Sequence, residues 1–465
     1  MYRKMQRYKK YLIMRLLKGI HFLVSVSLFA LCWGLAYREK TASQNSWVLV
    51  VALYTVMLVG LLNTYRSYAV GSSRVSELVY SQTLSDAVTA GLIYVVACAT
   101  WMKIINPLML IALQVVQGLF NAGWSFVANR IYFKLHHPKK SVVIYRNEDD
   151  LRKLQEIRYF TSKFDVQKYI KNPSDDYSEL LREIEGFKAV FVVGIPATLR
   201  NSVAKYCVEN AVQGYIVPHV GDIIMAGAQH MLMFSVPVMR VRRAEPRAEY
   251  LMVKRLIDVA VSIVALVILS PVMLVTAVLI HRYDKGPVFY KQVRLTRDGR
   301  CFEILKFRSM KVNAEKDGVA RLASEHDDRI TPVGKIIRAC RIDELPQLIN
   351  ILMGDMTIVG PRPERPEIAA QYEKEMPAFS LRLQVKAGLT GLAQVYGRYN
   401  TEPYDKLQMD LMYINQMSFA TDFKLMLATV KILFMKESTS GIADGQTTAA
   451  VTGNKVEPEC DKETA

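Results

Sequence analysis

Four stretches of this chain are apolar enough, and long enough, to cross a lipid bilayer as helices: residues 13–37, 47–65, 84–101 and 104–128. Roughly 20 residues of helix are needed for one crossing. Such runs leave few folds open, because a backbone in hydrocarbon must satisfy its own hydrogen bonds. With 51% of its 465 residues hydrophobic, the chain is also too apolar and too long for one small soluble domain. The flanking charges give an orientation. Arg3, Lys4, Arg7, Lys9, Lys10, Arg15 and Lys18 precede or open the first run with no acid among them, Arg66 and Arg74 follow the second, and Arg130, Lys134, Lys139 and Lys140 follow the fourth. This excess predicts that the N-terminus and everything after residue 130 are cytoplasmic. The first run is a full span without a small-residue cleavage site, so it reads as a helix that stays rather than a cleavable signal peptide.

A fifth apolar run covers residues 259–280. A simple crossing here would carry the rest of the chain out of the cell. Asp258 opens the run, and Ser270-Pro271 interrupts it near the middle. Proline removes one backbone hydrogen bond and clashes with the preceding turn. The pattern predicts a helix broken at Ser270 and Pro271 that enters and leaves by the same face, with the serine helping to satisfy freed carbonyls. Near the C-terminus, residues 423–436 form a basic amphipathic pattern that suits either a membrane surface or the edge of a core. Residues 438–465 are polar and aperiodic, which predicts disorder.

Between residues 131 and 248 the pattern turns soluble. SVVIY (141–145), AVFVVG (189–194) and YIVP (215–218) alternate with helical stretches, as in a small parallel α/β unit. A dinucleotide site would need a glycine-rich turn after the first strand. Here the chain reads RNEDD, whose carboxylates would repel phosphate. A small α/β module that binds no nucleotide and has a structural or regulatory role is the reading that follows. The six cysteines are scattered, with no CxxC pair, which predicts neither structural zinc nor a disulfide frame.

The net charge of +17 implies an acidic partner. Much of it flanks the apolar runs, where topology accounts for it, so no nucleic-acid role is expected. After residue 281 the cations gather around chemistry instead. EILKFRSMK (303–311) reads as a strand, and a period of two puts Lys306 and Arg308 on one face as a comb for phosphate oxygens. In GPRPE, Arg362 stands between two prolines that fix φ on either side of it, which suits a phosphate clamp. RIDELPQL sets Asp343 and Glu344 directly before Leu345-Pro346, a proline placed as in the first turn of a helix, whose positive end would keep a carboxylate ionised. Each motif alone has an ordinary explanation: a solvated strand face, a rigid turn, a helix cap.

Together, KFRSM, DELPQ, GDM, PRPE and GLTGLAQVYGR, in that order after the fifth apolar run, resemble the bacterial sugar transferase family, the polyprenyl-phosphate hexose-1-phosphate transferases. The resemblance covers roughly residues 250–437. Four preceding spans and a degenerate Rossmann-like module are similar to the larger members, which start exopolysaccharide, capsule or O-antigen repeat units. It implies an α-helical membrane protein with α/β cytoplasmic parts, placed in the bacterial inner membrane. Its parts would be a four-helix transmembrane domain (1–130), the Rossmann-like module (131–248), a re-entrant helix plus catalytic domain (249–437) and a disordered tail (438–465). The implied reaction moves a hexose 1-phosphate from a UDP-sugar to undecaprenyl phosphate and releases UMP, with Mg²⁺ as cofactor. Glucose or galactose is the expected sugar, an N-acetylated one staying open. On this chain the family's Asp-Glu dyad falls on Asp343, the nucleophile that forms an aspartyl-phosphosugar, and on Glu344; both would hold Mg²⁺. Lys306, Arg308 and Arg362 would offset phosphate charge, and Gln394 and Arg398 would contact the nucleotide or diphosphate. The family commonly has proline before GLTG, where this chain has Ala387, a change expected to loosen the loop. Two rivals stand beside this reading: a one-step transferase in which Asp343 only binds metal, and a silent membrane scaffold of a polysaccharide assembly complex. A homodimer built on the four spans is a further expectation.

Overall fold

The structure, a computed structural model, describes residues 2–37, 46–155, 160–173, 177–312, 327, 329–397 and 402–433. The polar tail from Ser438 and the candidate Arg398 lie outside these residues. The chain divides into two compact units, Met1–Val217 and Pro218–Ala465.

The first unit opens with four helices, α1 (Tyr2–Tyr37), α2 (Ser46–Thr64), α3 (Val75–Trp101) and α4 (Leu108–Leu135). All four are long and apolar enough to cross a membrane. Outward they show aliphatic side chains such as Leu49, Val56 and Leu119, each about 70% exposed. Faces of this kind are not stable in water, which identifies a membrane protein. Inward the helices bury aromatics, with the Phe29 and Tyr54 rings stacked at 3.7 Å, and a polar network. Asp86 on α3 accepts hydrogen bonds from Ser25 (2.7 Å), Tyr54 (3.3 Å) and the Asn121 amide (2.9 Å). Gln117 donates to Ser25 and Tyr54, and the Asn121 carbonyl oxygen meets His21 Nε2 at 2.9 Å.

A parallel four-stranded sheet follows, ordered β2-β1-β3-β4. Its elements are β1 (Lys139–Tyr145), α5 (Glu148–Gln155), α6 (Phe160–Lys163), β2 (Phe164–Lys171), α7 (Tyr177–Ile184), β3 (Ala189–Val193), α8 (Ala197–Glu209) and β4 (Gln213–Ile216). Val142, Ile144, Val190 and Val192 pack with α7 and α8. Val143, Tyr145, Phe191 and Val193 pack with α5 and α6. Burial on both faces explains why β1 and β3 read as unbroken apolar runs. β2 does not: it carries Asp165, Lys168 and Lys171 on a half-exposed edge, and the sequence gives no strand there.

The second unit begins with α9 (Val220–Ala226) and an antiparallel hairpin, β5 (Gln229–Met233) and β6 (Val236–Arg240). Then comes α10 (Ala248–Asp284), a 37-residue helix that contains Pro271, with Ser270 Oγ donating to the Val267 carbonyl at 2.8 Å. The motif-bearing remainder comprises the hairpin β7 (Phe289–Leu295) and β8 (Cys301–Phe307), α11 (Pro332–Ala339), a 3₁₀ turn (Ile342–Glu344), α12 (Gln347–Met353), β9 (Met356–Val359), α13 (Pro366–Glu375), a 3₁₀ helix (Pro377–Gln384), β10 (Ala387–Thr390), α14 (Leu392–Tyr396), α15 (Pro403–Asn415) and α16 (Phe419–Leu433). Ile304, Ile351, Met356, Tyr372, Phe379, Leu407 and Leu425 share one core. Leu425 thus turns one face of the basic amphipathic helix inward.

Both halves of α10 are tied to this same unit. In the first half, Asp258 accepts from Thr357 Oγ1 (2.6 Å) and from the Ile358 amide (3.1 Å), and Arg255 donates to the Leu352 carbonyl (2.8 Å). In the second half, Ile280 packs against Phe307 and Ile337. Val267 and Leu274 point away, each more than 60% exposed. Among the described cysteines, Cys32, Cys98, Cys207 and Cys340 are free.

Candidate active site

The residue that shapes the site is Arg341. It sits in the left-handed region (φ 54°, ψ 23°) between α11 and the 3₁₀ turn that carries Asp343 and Glu344. A non-glycine residue there costs on the order of 1 kcal/mol, offset by the packing that follows. The turn buries Glu344, while Asp343 stays partly accessible. Pro346 is the residue just before α12, so the dyad stands one turn ahead of that short helix rather than inside its first turn. Its charge is set by side-chain cations, not by the helix end.

Those cations converge on Glu344. Arg362 Nη2 donates to Glu344 Oε1 at 2.8 Å, Lys306 Nζ lies 3.8 Å from the same oxygen, and Arg341 Nη1 lies 3.6 Å from Oε2. Burial opposes the charge on Glu344, but Arg362, Lys306 and Arg341 overcome it and hold the carboxyl well below the usual carboxylate range. Asp343 goes the other way. Burial, then the adjacent Glu344 charge, push its carboxyl up to about 6, against the pull of Lys306, Arg338 and Arg362. Among the described residues, no hydrogen bond or ion pair reaches the Asp343 carboxylate. Burial likewise pushes Lys306 down to about 8, against the Glu344 charge. Two adjacent carboxyls driven apart in this way are a recurring mark of acid–base or nucleophilic chemistry.

Lys306 reaches this cluster because Asn350 joins β8 to α12. Its side-chain oxygen accepts from the Leu305 amide at 2.9 Å and its nitrogen donates to the Glu303 carbonyl at 2.7 Å, as a neighbouring strand would. Arg308 is not drawn to the dyad. It follows the end of β8, is buried, and its ion pair is with Asp284 at the end of α10. Gln394 is held near Gly391, its amide nitrogen and oxygen both enclosed without a partner. Ser270 and Pro271 lie on α10, outside the cluster.

The loop 361–363 leaves β9 through a glycine crossing. A Cβ on Gly388 would sit 2.1 Å from the Gly360 nitrogen, and one on Gly391 would sit 2.2 Å from the Gly360 oxygen. Only glycine allows β9 and β10 so close an approach. Ala387 does not loosen this crossing. Its amide donates to Thr296 Oγ1 at 3.1 Å, a bond that proline could not make. The sequence reading missed Arg338 and Arg341, although their place three turns or fewer before the dyad in KIIRACRIDE was a usable signal. Arg294, Asn350, Arg382 and Asp410 carried no local signal.

The site's donor set suits magnesium in one respect. Asp343 and Glu344 are two adjacent carboxylates, and magnesium takes one or two carboxylates together with water and substrate phosphate oxygens. No group of three or more ligating side chains occurs among the described residues, so phosphate would have to complete the shell.

The chain matches the family model described as bacterial sugar transferase over residues 249–436, the segment that contains this site and α10. It is 40% identical over 191 residues to a UDP-N-acetylgalactosamine-undecaprenyl-phosphate N-acetylgalactosaminephosphotransferase of Aeromonas hydrophila, covering 40% of this chain and 45% of that one. It is 41% identical over 190 residues to a UDP-glucose:undecaprenyl-phosphate glucose-1-phosphate transferase of Klebsiella pneumoniae, covering 40% and 41%. The chain therefore spans less than half the length of these two relatives. A protein of the same printed name from Caulobacter vibrioides is 38% identical over 198 residues, and there the match covers 42% of this chain and 74% of the relative. With the dyad, the arginine between two prolines and the glycine crossing all inside the matched segment, the chain belongs to the bacterial sugar transferase family.

Proposed function

We propose that this protein transfers a hexose 1-phosphate from a UDP-sugar to undecaprenyl phosphate, in two steps through Asp343. The observation that carries the reading is the division of labour in the dyad: Glu344 is held by three cations, whereas Asp343, beside it, has no partner among the described residues. An aspartate oxygen attacks the sugar-proximal phosphorus, the phosphorus–oxygen bond to UMP breaks, and UMP leaves with that electron pair. The product is an acyl phosphate with the sugar attached. A phosphate oxygen of undecaprenyl phosphate then attacks the same phosphorus and frees the aspartate. A mixed anhydride retains much of the energy of the cleaved diphosphate, so the second transfer stays feasible. Arg362 and Lys306 offset the repulsion between a carboxylate and an anionic phosphate. Magnesium, held by Asp343 and Glu344 with phosphate oxygens, would supply further charge neutralisation.

We further infer that α10 dips into the cytoplasmic leaflet of the inner membrane rather than crossing it, while α1–α4 span it. Support for the dip comes from the docking of both halves of α10 on one unit, with an aliphatic face left over for lipid. Support for the orientation comes from the positive residues flanking the four runs. A lipid-embedded edge beside the dyad would bring undecaprenyl phosphate to Asp343. Glucose or galactose is the proposed sugar; the relatives' names point to glucose in two cases and N-acetylgalactosamine in one.

The test is UMP release from a panel of UDP-sugars with undecaprenyl phosphate, by the full chain in detergent or nanodiscs. We expect release with the wild type and retention of radiolabelled phosphosugar on the protein. Label retained by Asp343→Asn would sink the covalent step. No release with any UDP-sugar would sink the transferase reading and leave the scaffold.

A further inference from the structure

We propose that Arg382, through its pair with Asp410, is a positioning residue for Arg362. This inference rests on the transferase reading for what Arg362 does, but its geometry stands apart. Two flanking prolines fix φ at residues 361 and 363, yet they do not fix how the loop lies on the protein body. The body does that by holding four consecutive carbonyls. The Pro361 oxygen accepts from the Gly388 amide at 2.8 Å, and the Glu364 oxygen accepts from the Leu295 amide at 2.9 Å. Between them, Arg382 Nη2 donates to the Arg362 carbonyl at 2.8 Å and Arg294 Nη1 donates to the Pro363 carbonyl at 3.2 Å.

Both guanidiniums are anchored from behind. Arg382 Nη2 lies 2.7 Å from Asp410 Oδ2, in a pair that is 5% and 1% exposed. The Glu364 carboxylate stands between the two arginines, 3.4 Å from Arg294 and 4.0 Å from Arg382. The elements involved are distant in sequence: β7, the 3₁₀ helix 377–384 and α15. The side chain of Arg362 itself is 43% exposed and donates to Glu344, on a side that solvent and a substrate phosphate can reach. Its main chain is fixed, so it has few arrangements to lose on binding.

A buried ion pair is weak support for stability, because desolvation offsets its attraction. What this pair does supply is a fixed opposite charge behind the guanidinium, close to it without an aligned hydrogen bond. One nitrogen of Arg382 faces both the Arg362 carbonyl and Asp410, a geometry that the ammonium of lysine, on a shorter stem, does not reproduce.

The experiment is a pair of double-mutant cycles on the full chain. In the first, turnover is measured for wild type, Arg382→Lys, Arg362→Lys and the double variant. We expect Arg382→Lys to lower kcat roughly tenfold to a hundredfold, with KM for the UDP-sugar changed less than threefold. The double variant should be no more than about twofold slower than Arg362→Lys alone, since Arg382 acts through Arg362. Multiplicative losses would overturn the proposal. The second cycle needs no activity: the coupling between Arg362→Lys and Glu344→Gln in Tm should shrink when Arg382 is lysine. An unchanged coupling would overturn it equally, whether or not UMP is ever released. Should Arg382→Lys not fold, Asp410→Asn loosens the same arginine and takes its place in both cycles.

Discussion

Two carboxylates of this protein, one buried in the bundle and one partly accessible beside Glu344, are treated in opposite ways. Asp86, inside the four-helix bundle, accepts hydrogen bonds from three neutral groups, Ser25, Tyr54 and Asn121. Asp343 in the second unit has cations nearby, but among the described residues nothing is bonded to it. A network with every member satisfied fixes one packing of its helices and has nothing left to react. A carboxylate left unpartnered beside a second, fully paired one keeps its lone pairs for an incoming atom. Polar surroundings alone therefore do not separate a structural carboxylate from a reactive one. The presence or absence of partners does.

The largest expected effect is that of Asp343→Asn. UMP release should fall by on the order of 10³-fold or more, because an amide is a poor nucleophile. Stability should move the other way. The folded state binds a proton at Asp343 more tightly than the unfolded chain does, so the ionised form costs stability as pH rises through about 6. At pH 7.5 the asparagine variant should therefore melt higher than wild type. A lower Tm would mean that Asp343 is a structural group like Asp86. Glu344→Gln is the counterpart. The glutamate's depressed pKa contributes stability present above the ordinary carboxylate range and lost as pH falls through it. Its removal at pH 7.5 leaves Arg362, Lys306 and Arg341 uncompensated and should cost roughly 3 kcal/mol in a thermal or denaturant melt.

The pH profile of kcat/KM sharpens the same contrast. Attack requires Asp343 ionised, so the rate should drop about tenfold per unit below pH 6. The upper limb belongs to Lys306, whose charge is lost above about 8. Lys306→Arg keeps a positive charge at all these pH values and should push that limb upward. A limb that stays near 8 in that variant would remove Lys306 from the account.

How much of this could be read from the chain alone follows from the range of the interactions. The apolar runs were legible because bilayer thickness dictates their length, and α1–α4 and α10 cover them. β1 and β3 were legible as apolar runs, β4 only in its last two residues, and the charged edge strand β2 not at all. The dyad was visible because Asp343 and Glu344 sit in one short motif. Lys306 and Arg362 were visible in their own motifs, but their convergence on Glu344 was not, and Arg382 and Asp410 gave no signal, since these groups meet only when the strands and helices close on one another. Period two put Lys306 and Arg308 on one face. The strand ends at Phe307, however, and Asp284, contributed by a helix some twenty residues earlier, captures Arg308. Asp258 stood out at the head of the fifth apolar run, and only the fold reveals that it accepts from Thr357 and the Ile358 amide.

The smallest effects belong to the bundle, where a satisfied network should lose its parts gradually. Asp86→Asn keeps the shape but turns an acceptor for three donors into a group that is itself half donor. It should cost about 1–3 kcal/mol of stability, read as a lower Tm in nanodiscs, with UMP release per folded molecule unchanged. Ser25→Ala tests the same idea more finely. It removes the 2.7 Å bond to Asp86, but Tyr54 and Asn121 remain on that carboxylate, and Gln117 keeps the Tyr54 hydroxyl and the Ser25 carbonyl. Hydrogen bonds between helices in a bilayer average about 0.6 kcal/mol, so the loss should be of that order, a shift of a degree or two in Tm. Turnover falling in either bundle variant, at equal folded fraction, would show that Asp86 and Asp343 are not independent and that the contrast between a finished network and an unfinished one is misplaced.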